Sequence, residues 1–166
     1  MERLRKEEYY LQIARQVAQR GTCLRRRFGA IIVKDDAIVS TGYVGAPRGY
    51  PNCISIQKCL RKEAKVPPGE RYELCRSVHA EMNAIVNAAR VGANVSGGEM
   101  YLYGEDIEHK NKIVGGKPCK MCRRVIINAG LEKVITKTEK GLEMHHIHDW
   151  VIEAERDPFK EMEKGY

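Results

Sequence analysis

No apolar run in this chain approaches the roughly 20 residues that cross a bilayer, so a membrane partner is not expected. The octet Met1-Glu2-Arg3-Leu4-Arg5-Lys6-Glu7-Glu8 lacks the apolar h-region of a secretory leader, and the expected setting is the reducing cytoplasm. There is no internal repeat and no low-complexity segment, which excludes repeat arrays and compositionally disordered classes. Tryptophan occurs once, yet 43% hydrophobic and 31% charged residues are ordinary for a globular protein. The 166 residues fit one domain, residues 1–166, able to bury a core over about 5–138, with a C-terminal helix and tail over 139–166.

Cysteine and positive charge are what the chain has in excess. The formal charge is +7, with basic clusters at Arg3 to Lys6, Arg25 to Arg27, Lys58 to Lys65 and Lys110 to Arg124. Most such charges belong to a solvated surface; the sharper reading is attraction of a phosphorylated substrate, and the balance is too mild to demand nucleic acid. Six cysteines exceed what a cytosolic domain needs, and cytosol disfavours disulfides.

Residues 5 to 20 carry apolar positions at helical spacing, ended by Gly21. Gly29 to Lys34 and Ala37 to Tyr43 read as a hairpin about Asp35-Asp36. Gly45 to Val78 shows no clear period beyond a short helix near Gln57 to Glu63, and a connection that long needs a function or something to pin it. A helix follows over His79 to Val91, then a strand over Met100 to Tyr103, and a polar loop over Gly104 to Lys117. Last come a helix over Cys119 to Ala129, a strand over Lys133 to Thr138, and a helix over Asp149 to Glu155. The alternation predicts an α/β chain, a three-layer α/β/α sandwich around a central mixed sheet.

Two stretches carry chemistry: His79-Ala80-Glu81 and Pro118-Cys119-Lys120-Met121-Cys122. His79, Cys119 and Cys122 form a borderline-soft N/S₂ set that suits Zn²⁺ and leaves a fourth position for water. Both motifs open helices, where the positive dipole end favours thiolate over thiol. Zinc in an open site lowers the pKa of its water to roughly 7, and Glu81 is placed to carry protons to and from a substrate. Cys53, Cys59 and Cys75 in the long segment, with Cys23 or a histidine as fourth, are candidates for a second, structural Zn²⁺, with free thiols as the competing account. His109, His145, His146 and His148 read as surface histidines, and Tyr43, Tyr101 and Tyr103 as core or sheet residues.

The pairing of His-x-Glu with Pro-Cys-x-x-Cys is the known signature of zinc-dependent nucleobase deaminases. With it stand Cys23-Leu24-Arg25-Arg26, Gly29 to Asp35, Ser40 to Pro47, Cys59-Leu60-Arg61, Glu73-Leu74-Cys75-Arg76 and Ile126 to Gly130. On these strings the chain resembles the deoxycytidylate (dCMP) deaminase family of the cytidine deaminase-like superfamily. The resemblance implies zinc-dependent conversion of dCMP to dUMP and ammonia, with Glu81 as proton carrier, a homo-oligomer that in several members is a hexamer, activation by dCTP with Mg²⁺, and inhibition by dTTP. It also points to Ala80, Val44, Arg26, Arg27, Lys120 and Arg123 as candidate substrate-binding residues. Two features depart from the pattern. Val44 stands where the family has an asparagine that helps hold the sugar, and about a dozen extra residues, near 105–116, precede the Pro-Cys motif and should lie by the site mouth.

Two other readings compete. One is a deaminase acting on a base within tRNA or another nucleic acid, which the Pro-Cys-x-x-Cys string and the positive charge also fit. The other is a non-catalytic, zinc-stabilised binding module, against which Glu81 argues, since a structural site needs no carboxylate there.

Overall fold

The computed structural model describes residues 3–157. Helix α1 (Lys6–Ala18) buries a stripe of Tyr10, Leu11, Ala14 and Ala18, and Glu7 and Glu8 in its first turn complement the helix dipole. Strands β1 (Arg26–Lys34) and β2 (Ala37–Tyr43) form the expected hairpin. Asp35 and Asp36 take φ of 49° and 62°, the two left-handed residues of a type I′ turn whose twist matches that of the strands.

The long segment holds α2 (Cys53–Ile56), α3 (Leu60–Glu63) and a 3₁₀ turn over Tyr72–Leu74. One short helix near Gln57 to Glu63 was expected; Gln57 instead adopts a left-handed conformation (φ 53°) that breaks the segment into two single turns. Helix α4 (Ala80–Arg90) follows, then β3 (Glu99–Asp106), β4 (Lys112–Ile113), α5 (Lys120–Asn128), β5 (Lys133–Thr138), β6 (Gly141–His146) and α6 (Ile147–Arg156).

The sheet runs β2-β1-β3-β5-β6, with β4 paired to the far end of β3. Only β3 and β5 run parallel; the other pairs are antiparallel. Alternate residues of each strand face opposite layers. Ile31, Val33, Tyr101, Tyr103 and Ile135 meet α1 on one side, while Ala30, Ile32, Met100, Leu102 and Val134 meet α4, α5 and Trp150 of α6 on the other. This is the expected three-layer sandwich with a mixed sheet.

Two departures from the sequence reading involve strand residues that are polar in sequence. The stretch from Gly104 to Lys117 is not all loop: β3 runs on to Asp106, and β4 turns back on it. Its Glu105 and Asp106 are 3% and 8% exposed because they face Arg27 and Arg26 across the ladder, at 3.6 Å each. The edge strand β6 also reads as polar, since most of its residues stay partly in water. Residues 158–166 of the C-terminal tail lie outside the described residues.

Helices reach the sheet closely where strands carry no side chain. A Cβ on Gly42 would lie 2.2 Å from Ala84 N and 2.5 Å from Ala80 O, both backbone atoms of α4. Gly42→Ala must therefore push α4 off β2. We expect a loss of about 1–3 kcal/mol, read as a melting temperature several degrees lower in a thermal scan.

Candidate active site

Helix α4 and strand β2 are tied together by polar side chains from both. Ser40 Oγ donates to the Ala84 carbonyl at 2.6 Å, and the Asn83 and Asn87 amides donate to the Tyr43 and Thr41 carbonyls at 2.8 and 2.7 Å. These bonds also cover the open edge of β2. Val78 N donates to Gly45 O at 2.8 Å, tying the residue before His79 to the end of the hairpin. His79 is thus held as the N-cap of α4 and Cys119 as the N-cap of α5.

The two N-termini converge. His79 Nδ1 lies 3.5 Å from Cys119 Sγ and 3.3 Å from Cys122 Sγ. The three donor atoms fall within 4.8 Å of one another, and no other described group of three His, Cys, Asp or Glu donors does so. Cys119 Sγ accepts from the backbone N–H of Cys122 at 3.5 Å. The Cys122 thiol, with that amide and His79, holds the Cys119 thiol well below its usual range. Cys122, donating to Cys119 and sealed from water, is pushed up. Two cysteine sulfurs and an imidazole nitrogen around one point match what Zn²⁺ takes from a protein, and three ligands leave its fourth position open. The residues present fit the ion.

Glu81, in the first turn of α4, is 5% exposed. Burial raises its carboxyl above the usual range, with His79 working the other way. It lines the same cavity of about 360 Å³ as His79 and Cys119, within the size range of small-molecule sites.

The other candidate residues divide. Arg26, Val44 and Ala80 line the cavity. Arg27 does not: alternation along β1 turns it the other way, to Glu105 and to Gln19 Oε1 at 3.1 Å. Lys120 and Arg123, on α5, are also outside the lining, and Arg123 lies 5.9 Å from the Trp150 ring. The extra residues reach the site, since Val114, Gly115 and Gly116 line it. Sequence reasoning did not select Arg25, Phe28, Arg61, Tyr72 or Lys117, which the fold adds to the wall. The one signal for Arg61 was its place in the Cys59-Leu60-Arg61 string.

Cys53 is buried and Cys23, Cys59 and Cys75 are half-buried. Burial, then the neighbouring thiols, pushes Cys53 up, and Cys75 shifts the same way for the same first reason. No three of these four sulfurs come within 4.8 Å of one another, so no ion geometry is assigned there. Of the histidines set aside, His109 pairs with Asp106 at 3.1 Å and His145 with Glu143 at 3.5 Å.

The sequence pattern of the cytidine and deoxycytidylate deaminase zinc-binding region matches residues 4–138. The chain belongs to that family. Among curated members of the deaminase family, it is 34% identical over 138 residues to the deoxycytidylate deaminase of a Mycobacterium phage, covering 80% of this chain and 94% of that one. It is 30% identical over 141 residues to the deoxycytidylate deaminase of Schizosaccharomyces pombe, covering 84% of this chain but only 39% of the yeast protein's length. The fold is similar to the crystal structure of dCMP deaminase from the cyanophage S-TIM5 in complex with dCMP and dUMP: the TM-score is 0.60 at 27% identity, over 82% of this chain and 85% of that one.

If His79, Cys119 and Cys122 hold the ion, Cys119→Ser removes about one equivalent of zinc per chain. Elemental analysis of the purified variant beside the parent protein checks this. An unchanged zinc content would show that the ion is held elsewhere.

Proposed function

We propose that this protein is a zinc-dependent aminohydrolase that converts dCMP to dUMP and ammonia. The observation that carries the reading is a buried carboxylate, Glu81, in one cavity with His79 and Cys119 of the His79–Cys119–Cys122 donor set, in a chain of the deaminase family. Zinc bound by those three side chains supplies a water made acidic enough to be a nucleophile near neutral pH.

The chain's own groups then account for the protons. Water adds to C4 of the cytosine, forming a C–O bond, while Glu81 takes a proton from it and passes a proton to N3. As the C4–N bond breaks, Glu81 delivers the second proton to the departing amine, and ammonia leaves. A carboxyl raised by burial exchanges protons more evenly than an exposed one and suits this double role. Phe28, Leu102 and Val44 give the cavity apolar wall against which a pyrimidine can lie without water. Val44 offers no side-chain hydrogen bond to the sugar, so recognition of the nucleotide falls to other residues.

A small nucleotide is favoured over a nucleic acid by how the basic residues near the cavity are used. Arg25 and Lys62 pair with Glu108, Arg26 with Asp106 and Arg27 with Glu105, which leaves no continuous positive track for a polyanion. A second zinc on Cys23, Cys53, Cys59 and Cys75 belongs to the same proposal, supported by thiols close enough to shift one another. Zinc analysis of Cys119→Ser reads this too: about one ion retained per chain supports it, and none retained overturns it. Assembly as a homo-oligomer, regulation by dCTP with Mg²⁺ and a cytoplasmic setting come with the reading through the family resemblance. Among the described residues no helix is long and apolar enough to cross a membrane. Sedimentation with and without dCTP and Mg²⁺ tests assembly and effector binding together, a single unshifted monomer counting against both.

The reaction is tested by the fall in dCMP absorbance with matched ammonia release. Glu81→Ala is expected to lower kcat by about 10²- to 10⁴-fold while zinc stays bound. No turnover of dCMP by zinc-loaded parent protein would overturn the proposed substrate.

A further inference from the structure

The cations that line the cavity are not equivalent. Arg25 pairs with Glu108 at 3.3 Å, Arg26 with Asp106 at 3.6 Å and Lys117 with Glu153 at 2.7 Å. Arg61 differs. It is 8% exposed, and among the described residues no carboxylate pairs with it. Its Nη2 donates to the Pro67 and Glu70 carbonyls at 2.9 and 2.5 Å. Its Nε is sealed and has no partner, and its Nη1 meets no acceptor from the described chain.

The guanidinium is nonetheless held in place. Its carbon lies 4.8 Å from the centroid of the Tyr72 ring, and Tyr72 meets the His79 ring edge-on at 5.0 Å and 89°. The cation therefore stands one aromatic ring away from a zinc-ligand residue, a separation on the scale of a single nucleotide. Both Arg61 and Tyr72 line the cavity that also holds Glu81.

A buried cation without an anion is costly, and proteins pair such groups or leave them for a ligand. Here two carbonyls fix the orientation of the fork without neutralising its charge. We propose that Arg61 is the receptor for the phosphate monoester of the substrate, and that it sets the preference for a nucleotide over a nucleoside. The inference rests on the deaminase reading above and adds a residue for the substrate's phosphate, separate from the sugar, to which Val44 offers no side-chain hydrogen bond. Tyr72 acts as a positioning residue, holding the guanidinium over its ring while it packs at right angles to His79.

Calorimetric binding to the zinc-loaded protein tests this, with the product dUMP, with deoxyuridine (the same molecule without phosphate) and with inorganic phosphate. Arg61→Ala should weaken dUMP binding about ten- to a hundred-fold, abolish competition by inorganic phosphate, and leave deoxyuridine binding and zinc content unchanged. Arg61→Lys keeps the charge but not the planar fork, and should fall between the two. Arg71→Ala, an exposed cation of the same segment that pairs with Glu73, serves as the control and should bind dUMP like the parent.

Parent-like dUMP affinity in Arg61→Ala would overturn the proposal. So would an equal loss for dUMP and deoxyuridine, or a loss of zinc, because Arg61 would then be holding the segment or balancing the charge of the nearby thiols. If the parent turns over no dCMP but its phosphate-dependent binding still vanishes in Arg61→Ala, the anion receptor stands and the proposed reaction falls.

Discussion

The site depends on a contact between two backbones. Because β2 presents no side chain at Gly42, α4 can lie directly on it, with Ala80 O and Ala84 N where a Cβ would otherwise sit. Small residues on the helix side, Ala80 and Ala84, complete the approach. The polar bonds from Ser40, Asn83 and Asn87 then fix the helix along its own axis. A shift of α4 by the length of a bond would move His79 and Glu81 together, away from Cys119 and Cys122. The donor set is therefore placed by packing at the start of the helix, between Ala80 and Ala84, against the neighbouring strand.

The motifs were legible in the sequence because chemistry demands those residue types at those spacings. Two cysteines three apart at a helix start, and a histidine with a carboxylate two residues on, leave little room for a different chemistry once both occur in one chain. The hairpin and the flanking helices were legible through periodicity, and the sandwich followed from their alternation. What was hidden has a common physical form: structure stabilised by paired charge instead of by apolar faces. Glu105 and Asp106 are buried strand residues, yet nothing in their own hydropathy says so, because the arginines that neutralise them lie about eighty positions earlier.

The same pairing explains why Arg27 could not be assigned from sequence proximity. Along β1, Arg26 and Arg27 point to opposite layers, so adjacency in the chain separates them in space. Arg61 is the converse case. It sits far from either motif in sequence and is brought to the cavity by a segment with almost no periodic signal, held together by Arg61's own bonds to Pro67 and Glu70. Its burial, its missing carboxylate and its stack on Tyr72 are properties of the fold alone.

The cavity is thereby built from two kinds of wall. The helix N-termini carry His79, Glu81, Cys119 and Cys122, and their positions are set by the close-packed core of Met100, Leu102, Ile126 and Val134 behind them. The opposite wall comes from the segment between β2 and α4, whose own packing is slight and whose shape rests on a few polar contacts. A rigid wall suits a reaction that needs atoms held to fractions of an ångström. A wall of single turns suits recognition, because its side chains can be exchanged without moving the donors. The extra residues reach the cavity through Val114, Gly115 and Gly116. Gly115 lies so close to the Lys137 carbonyl that a side chain there would have no room, so this stretch packs on the end of β5 through its backbone.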